Sequence, residues 1–192
     1  MFKVRFRYFP NLTHSLLERF RNSIHCMEQL IHNSNFLVQS SKVLGVPCVV
    51  TEEYPKGLLH TCEEIDILDT KLFEKTKFAA TTPEFINHVE DLGGRRQAVV
   101  FGIEAHVCVQ QTVLDLLERG WDVHVVADAV SSSRSIHRAV ALDRMRTSGA
   151  FITTAESVVF ELMRDTSHPE FKTVSNMIKE NNQRLGCCLS FL

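Results

Sequence analysis

The sequence predicts an α/β fold built on a parallel sheet. From residue 47 onward, short runs rich in β-branched residues alternate with stretches of helical periodicity, and this alternation is typical of right-handed βαβ units. The runs are almost continuously apolar, which indicates strands that are buried on both faces. They span residues 46–51, 98–103, 123–127 and 150–153.

Helices are predicted between and after these strands, because apolar residues recur there at helical spacing. Capping residues support the assignment: Thr82 and Pro83 open one helix, and Gly45 follows the end of another. The predicted helices span residues 24–44, 83–92, 105–118, 134–147, 156–163 and 168–180. Residues 2–9 differ, since they alternate apolar with basic side chains, which suits an edge strand or no strand at all.

Length and charge indicate one domain that spans residues 1–192. A chain of 192 residues with a formal net charge of -2 is long enough for one hydrophobic core. A balance this close to neutrality disfavours a nucleic-acid partner held by bulk charge. Because no apolar run approaches the roughly 18 residues that cross a bilayer, we expect a small molecule or a protein as the partner, and no membrane.

The cysteine pattern and the basic start of the chain bear on its compartment. The six cysteines are irregularly spaced and form no CxxC pair, which indicates reduced thiols and a cytoplasmic location. The first 21 residues hold five Lys and Arg against one acidic residue, and mitochondrial transit peptides share that composition. A mitochondrial location is therefore the alternative.

Cys108 is the first candidate for chemistry. In open parallel sheets the ligand lies beyond the carboxyl ends of the strands, and the run at 98–103 turns through Gly102 into a helix whose first turn holds Cys108. The positive end of the helix dipole stabilises a thiolate, and free backbone amides there bind a developing oxyanion. Both features suit acyl transfer through a thioester. The alternative is a small buried apolar residue, as most free cysteines are.

Two further polar segments follow predicted strands or adjoin the same sheet edge. Lys75 or, equally by composition, Lys77 would lower the pKa of a neighbouring thiol and hold a substrate carbonyl or carboxylate. Glu52 and Glu53 follow the run at 46–51 and are candidates for an acid or a base. Adjacent carboxylates on a loop are usually solvated, which is the alternative for this pair.

Four blocks of sequence together resemble one family. They are residues 102–109 (GIEAHVCV), 51–58 (TEEYPKGL), 75–78 (KTKF) and 145–150 (MRTSGA). From about residue 16 to residue 180, the chain is similar to the isochorismatase-like cysteine hydrolases. Within that family it looks most like the isochorismatase domain-containing proteins and the relatives named mitochondria-associated ribonuclease.

The resemblance implies a three-layer α/β/α sandwich, a sheet of about six strands, and a Cys-Lys-Asp set that hydrolyses amides or related bonds of small molecules. Carried over by motif, Cys108 is the nucleophile and Lys75 is the lysine. A cis peptide is implied at Ile103-Glu104, the amides of Glu104 and Cys108 form the oxyanion hole, and Tyr54 belongs to the binding site. A homo-oligomer is implied, and a cofactor is not. No metal is implied either, because residues 51–55 replace the Asp-x-His ligands of the nicotinamidase branch.

The aspartate of that set is missing, because Ser15 stands where it is expected. Loss of a general base lowers a rate by roughly 10²–10⁴-fold, and Glu18 replaces it only if the local backbone has shifted. The sequence therefore leaves two alternatives to an active hydrolase. One is an impaired pseudoenzyme that binds a small molecule or a protein; the other, a ribonuclease, is disfavoured because no basic patch with interleaved aromatic residues is visible.

The two ends of the chain fall outside the resemblance. Residues 1–14 are predicted to be a divergent segment, and residues 181–192 a tail. If the family's first strand is not encoded, a central sheet position is either empty or filled by residues 2–9. The sheet's first strand is thus expected to be atypical.

Overall fold

The described residues of the computed structural model are 12–14, 17–92 and 96–183. The strands are β1 (Leu12–His14), β2 (Cys48–Glu53), β3 (Lys71–Lys75), β4 (Gln97–Gly102), β5 (Asp122–Val130) and β6 (Phe151–Thr153). The α-helices are α1 (Met27–Leu44), α2 (Pro55–Leu58), α3 (Pro83–Asp91), α4 (Gln110–Glu118), α5 (Ser135–Thr147), α6 (Ala155–Met163) and α7 (Phe171–Gln183). A 3-10 turn spans Glu18–Phe20, and a π-helical turn spans Ala105–Val109.

The six strands form one sheet in the order β3-β2-β1-β4-β5-β6, and every neighbouring pair is parallel. The predicted α/β class, parallel sheet and strand number are therefore confirmed. From β1 to β3 the chain adds strands towards one edge of the sheet, and from β4 to β6 it adds them towards the other edge. The strand order therefore reverses between β1 and β4. Ligands of such sheets bind beyond the carboxyl ends of the strands near that reversal.

Helices cover both faces of the sheet and complete the predicted three-layer sandwich. α1 packs against β5, α6 and α7, whereas α4 packs against β5 and α5. The central strands bury side chains on both faces, since the consecutive residues Val99 and Val100 of β4 and Val125 and Val126 of β5 all lie in the core. Within the described residues, no helix combines the length and the apolar character needed to span a bilayer.

The first strand corrects one expectation. Leu12–His14 occupies the central position, where it pairs with β2 on one side and β4 on the other. The position is thus neither empty nor dependent on residues 2–9, which lie outside the described residues. A strand of three residues is too short to show a periodicity in sequence, and the β2 and β4 backbones fix its place instead.

The cysteines only partly follow the expectation of reduced thiols. Cys48, Cys62 and Cys108 carry reduced thiols, whereas Cys26 is disulfide-bonded. Spacing alone did not separate these two groups, because a disulfide depends on where the fold brings two thiols together.

Candidate active site

Cys108 lies just beyond the carboxyl end of β4. The strand ends at Gly102, whose φ of 122° lies where side chains other than glycine are strained. The Ile103-Glu104 peptide that follows is cis, as the resemblance implies. Cys108 then falls in the π-helical turn that precedes α4, rather than in the expected α-helical turn. Such single π turns are frequent at functional sites.

A pocket of about 160 Å³ opens at the Cys108 side chain. Its lining is mainly apolar and comes from both sides of the β1/β4 reversal. The apolar residues are Leu17, Phe20, Leu58, Phe78, Ile103 and Val107. Glu53 and Glu104 are the carboxylate residues in the lining. The pocket therefore offers an apolar wall, two acidic side chains and one thiol.

Lys75 supplies the positive charge at this site. Its side chain is 1% exposed, and its ammonium donates to the Cys108 sulfur at 3.9 Å and to the carbonyl oxygens of Lys77 and Phe78 at 3.0 and 2.9 Å. It also donates to the Glu53 carboxylate. An ammonium has three donor hydrogens, so these four acceptors fully occupy it.

Lys77, the other candidate, lies elsewhere. Its side chain is half exposed, and its ammonium pairs with the Asp115 carboxylate at 2.8 Å. β3 ends at Lys75. Lys77 lies beyond the strand, so the alternation of side chains along β3 does not place it on the same face as Lys75. The structure therefore brings Lys75, and not Lys77, to the thiol.

Glu52 and Glu53 belong to β2 and are not solvated loop residues, which corrects that alternative. Successive side chains of a strand point to opposite faces, so the two carboxylates separate. Glu53 lies opposite Lys75 in the β2-β3 pairing and faces the pocket. The strand predicted over residues 46–51 extends to Glu53, because its last residues are polar and did not match the apolar pattern.

Glu52 is held on the other face by the segment after α2. Its carboxylate accepts from the Thr61 amide and hydroxyl, each at 2.8 Å, and lies 2.8 Å from the His60 ring nitrogen. Burial raises the pKa of Glu52, but the hydrogen bonds with Thr61 and His60 outweigh burial and hold that pKa below its ordinary value. Glu52 thus anchors the 60–61 segment against the sheet.

The Cys108 thiol is not prepared as a thiolate in this structure. Burial raises its pKa, the Lys75 ammonium lowers it, and the Glu53 carboxylate raises it again. A backbone hydrogen bond with Glu104 lowers it, yet the net pKa lies above the ordinary value. The expected stabilisation of a thiolate by the helix end is outweighed, and the thiol is protonated at neutral pH.

The remaining predicted residues fall in different places. The Tyr54 ring is half exposed, does not line the pocket, and covers Gly57, where a Cβ would lie 2.6 Å from a ring carbon. The Tyr54 amide donates to the Lys75 carbonyl at 2.8 Å, which ties the ends of β2 and β3 together. Glu18 binds Arg21 instead of facing Cys108. Ser15 lies outside the described residues.

A second acidic cluster includes Glu18, which lies in sequence between the pocket residues Leu17 and Phe20. The ligand atoms of Glu18, Cys62 and Glu64 lie within 4.8 Å of one another, the spacing of a possible metal site among the described residues. The Arg21 guanidinium donates to both carboxylates at 2.6 to 2.9 Å. Because this cation already neutralises the two acids, the cluster fits an ion pair better than it fits a metal.

Comparison with known proteins gives one consistent result. Residues 11–157 match the Isochorismatase domain family. The chain is 45% identical over 170 residues to the isochorismatase domain-containing protein 1 of Salmo salar and 47% identical over 170 residues to that of Danio rerio. These alignments cover 88% of this chain and 60% of each relative.

Solved structures show the same likeness. The MAR1 ribonuclease of Caenorhabditis elegans is 38% identical, with a TM-score of 0.83 over 88% of this chain and 90% of that chain. The ycaC gene product of Escherichia coli, described as an octameric hydrolase of unknown specificity, is 24% identical with a TM-score of 0.80. That alignment covers 91% of this chain and 90% of the other, and it shows the shared fold.

Proposed function

The chain belongs to the Isochorismatase domain family, and from that premise we propose that it hydrolyses a small molecule through a thioester at Cys108. The observation that carries the proposal is the Lys75 ammonium 3.9 Å from the Cys108 sulfur at the wall of a pocket. Thiol nucleophiles are activated by a nearby cation together with a group that removes the proton. The Cys108 sulfur attacks the acyl carbon, and water later hydrolyses the thioester.

The amides of Glu104 and Cys108 are the proposed donors to the oxyanion. Both belong to the backbone that leads from the cis peptide into the π-helical turn. Backbone amides aimed at the developing oxyanion stabilise the tetrahedral intermediate without any need to reorganise. Tyr54 is proposed to contribute through its backbone tie to β3 and not through its exposed ring.

The pocket favours a compact substrate with an apolar body and no negative charge. Six apolar side chains line it, and its carboxylate residues are Glu53 and Glu104. A phosphodiester would bring its own negative charge against these two acids, and like charges in a partly buried site repel strongly. A ribonuclease activity is for that reason disfavoured, and a neutral amide or ester is the proposed class.

One observation favours a second candidate, a protein that binds a small molecule without turning it over. The Cys108 pKa is raised by burial, and a resting thiol of that kind reacts slowly unless a base removes its proton. The missing aspartate at Ser15 points the same way. The two candidates differ in whether an acyl group is ever transferred to Cys108.

Acetyl transfer from p-nitrophenyl acetate separates the candidates. A hydrolase gives a burst of one p-nitrophenolate per chain and an intact mass raised by one acetyl group, both lost in Cys108→Ser. Cys62→Ala, which alters a buried thiol outside the pocket, retains both. A wild-type protein that is not acylated, together with a Ser15→Asp variant that is, would favour the binding protein.

A homo-oligomer is also proposed, following the family resemblance. Sedimentation velocity of the purified chain tests it directly. A species heavier than one chain supports the proposal, and a monomer across micromolar concentrations contradicts it.

A further inference from the structure

The proposed hydrolysis needs a group that removes two protons, one from the Cys108 thiol and one from the water that attacks the thioester. Lys75 does not meet this need, because a protonated ammonium donates hydrogen bonds and has no lone pair to accept a proton. The resting thiol is itself protonated at neutral pH, since burial raises its pKa. A separate acceptor beside the sulfur is therefore required.

Two other titratable neighbours of Cys108 are engaged by the segment between β5 and α5. The Glu104 carboxylate accepts from the Ser133 amide at 2.8 Å, on the side of the segment between β5 and α5. The His106 ring nitrogen Nδ1 lies 3.0 Å from the Ser132 hydroxyl, and its ring lies against that of His137. The hydrogen bonds described for Lys75, which donates to the Cys108 sulfur, include neither side chain.

Glu53 has the placement that the other two lack. Like Glu104 it lines the Cys108 pocket, but its carboxylate also accepts from the Lys75 ammonium, which donates to the Cys108 sulfur. The parallel pairing of β2 and β3 sets Glu53 opposite Lys75 at the last residues of both strands. Two strand ends therefore fix the carboxylate, and no mobile loop is involved.

We propose that Glu53 is the catalytic carboxylate of this site and transfers protons between Cys108, the leaving group and water. This inference rests on the proposed hydrolase function. It also explains why a carboxylate lies next to a thiol whose pKa it raises, since a proton acceptor is useful there and a bystander anion is not.

The steps balance as follows for an amide substrate. Glu53 accepts the thiol proton while the Cys108 sulfur bonds to the acyl carbon, and the carbonyl electron pair moves to oxygen. The oxyanion then re-forms the carbonyl, the C–N bond breaks, and the Glu53 proton passes to the departing nitrogen. In the second half, water loses a proton to Glu53 as its oxygen bonds to the acyl carbon. The C–S bond breaks, and the proton returns to sulfur as the acid leaves.

Glu53→Gln tests the role, with Glu74→Gln as the matched control. Glu74 precedes Lys75 on β3 and is exposed, so the control makes the same chemical change outside the pocket. Three quantities are measured: the p-nitrophenolate burst, the steady-state turnover of p-nitrophenyl acetate, and the rate of Cys108 alkylation by iodoacetamide at neutral pH.

A catalytic carboxylate predicts opposite changes in two of these readouts. In Glu53→Gln, steady-state turnover falls by roughly 10²–10⁴-fold and acetyl-enzyme accumulates, because p-nitrophenolate leaves without a proton but water is no longer activated. Alkylation becomes faster, because the lost negative charge had raised the thiol pKa. A merely structural loss would slow both reactions. Glu74→Gln changes neither.

The failures are distinguishable. If wild-type protein is acylated at Cys108 and Glu53→Gln turns over at the same rate, the role of Glu53 is wrong while the hydrolase proposal stands. If wild-type protein gives no burst and Cys108→Ser behaves identically, the hydrolase proposal fails, and the role of Glu53 fails with it.

A second variant covers the case in which Glu53→Gln does not fold. Glu53→Ala leaves space beside Lys75 into which formate, a small carboxylate, can diffuse. Formate restores turnover in Glu53→Ala if the missing function is proton transfer, whereas chloride at the same ionic strength does not. Equal effects of formate and chloride would overturn the assignment.

Discussion

Two regions of the molecule place a thiol, buried in one and half-buried in the other, among carboxylates and one cation. In the first, which we call the Cys62 cluster, Cys62 lies beside Glu18, Glu64 and Arg21. In the second, the Cys108 site, Cys108 lies beside Glu53, Glu104 and Lys75. Residue types alone do not separate the two groups.

The cation makes the difference. The Arg21 guanidinium binds both carboxylates of the Cys62 cluster through its planar fork, an arrangement suited to fixing geometry. Burial, together with the Glu18 and Glu64 carboxylates, raises the pKa of Cys62 to about 12. Cys62 does not line either of the pockets found among the described residues. This thiol therefore remains protonated and inaccessible to a ligand in those pockets.

At the Cys108 site the cation is the Lys75 ammonium, which donates to the thiol as well as to the Glu53 carboxylate. The Lys75 ammonium contacts the sulfur directly, and the sulfur faces a pocket. Proximity of a carboxylate and a cation therefore does not make a cysteine reactive. An opening to a ligand and a cation within reach of the sulfur are the features that distinguish Cys108.

Lys75→Met should have the largest effect on this contrast. It leaves the nearly buried Glu53 carboxylate without its cation, and removal of one partner of a buried pair costs about 3 to 5 kcal/mol of the free energy of unfolding. The pKa of Cys108 should rise further, since Lys75 is the charge that lowers it. Urea unfolding and the pH dependence of iodoacetamide alkylation measure the two effects.

Lys77→Met is the matched control for that prediction. It removes a lysine two residues away whose pair with Asp115 is partly exposed, so the loss should be at most about 1 kcal/mol. Cys108 alkylation should be unchanged. Equal effects of the two substitutions would show that a cation within reach of the sulfur is not what distinguishes the Cys108 site.

The choice between Lys75 and Lys77 shows what the sequence left open. Both lysines have the same chemistry and lie two residues apart, so the site depends on where β3 ends, and strand boundaries are poorly specified by sequence. Glu53 was a candidate together with Glu52, and the sequence did not separate the two for the same reason, because β2 was expected to end at residue 51 and continues to Glu53. Cys108 was found, since a glycine turn between an apolar run and a helix marks its position in the sequence itself.

The fold shows a similar division. The apolar runs predicted four strands, because strands buried on both faces are continuous in hydrophobicity. β1 and β3 were not recognised, since Leu12–His14 is short and Lys71–Lys75 is polar and only partly buried. Their positions come from pairing with β2, which is a tertiary effect that no local pattern records.

The Cys62 cluster should make the protein sensitive to alkaline pH. Folding raises the pKa of Cys62 from its ordinary value near 9.0 to about 12. Between those values the unfolded chain has lost the thiol proton and the folded chain has kept it, so the free energy of unfolding falls as pH rises. Relative to Cys62→Ala, the wild type should lose about 1.4 kcal/mol between about pH 8 and about pH 10. Urea unfolding at both values measures it, and parallel losses in the two proteins would contradict it.

Arg21→Met should have the smallest effect of these substitutions. It should weaken substrate binding more than it slows the chemical steps. Arg21 holds Glu18 and Glu64 together at the partly exposed end of the segment that supplies Leu17 and Phe20 to the pocket wall. Loss of such partly exposed pairs costs about 1 kcal/mol or less.

Without that tie the apolar wall of the pocket is less well ordered, whereas Lys75 and Cys108 keep their contacts. The KM for p-nitrophenyl acetate should therefore rise while kcat and Cys108 alkylation stay near wild type. Arg146→Met, which removes an exposed pair with Asp143 on α5, should change none of the three. A fall in kcat without a change in KM would mean that the Cys62 cluster acts on the reacting thiol itself, and the two regions would then have to be treated as one site.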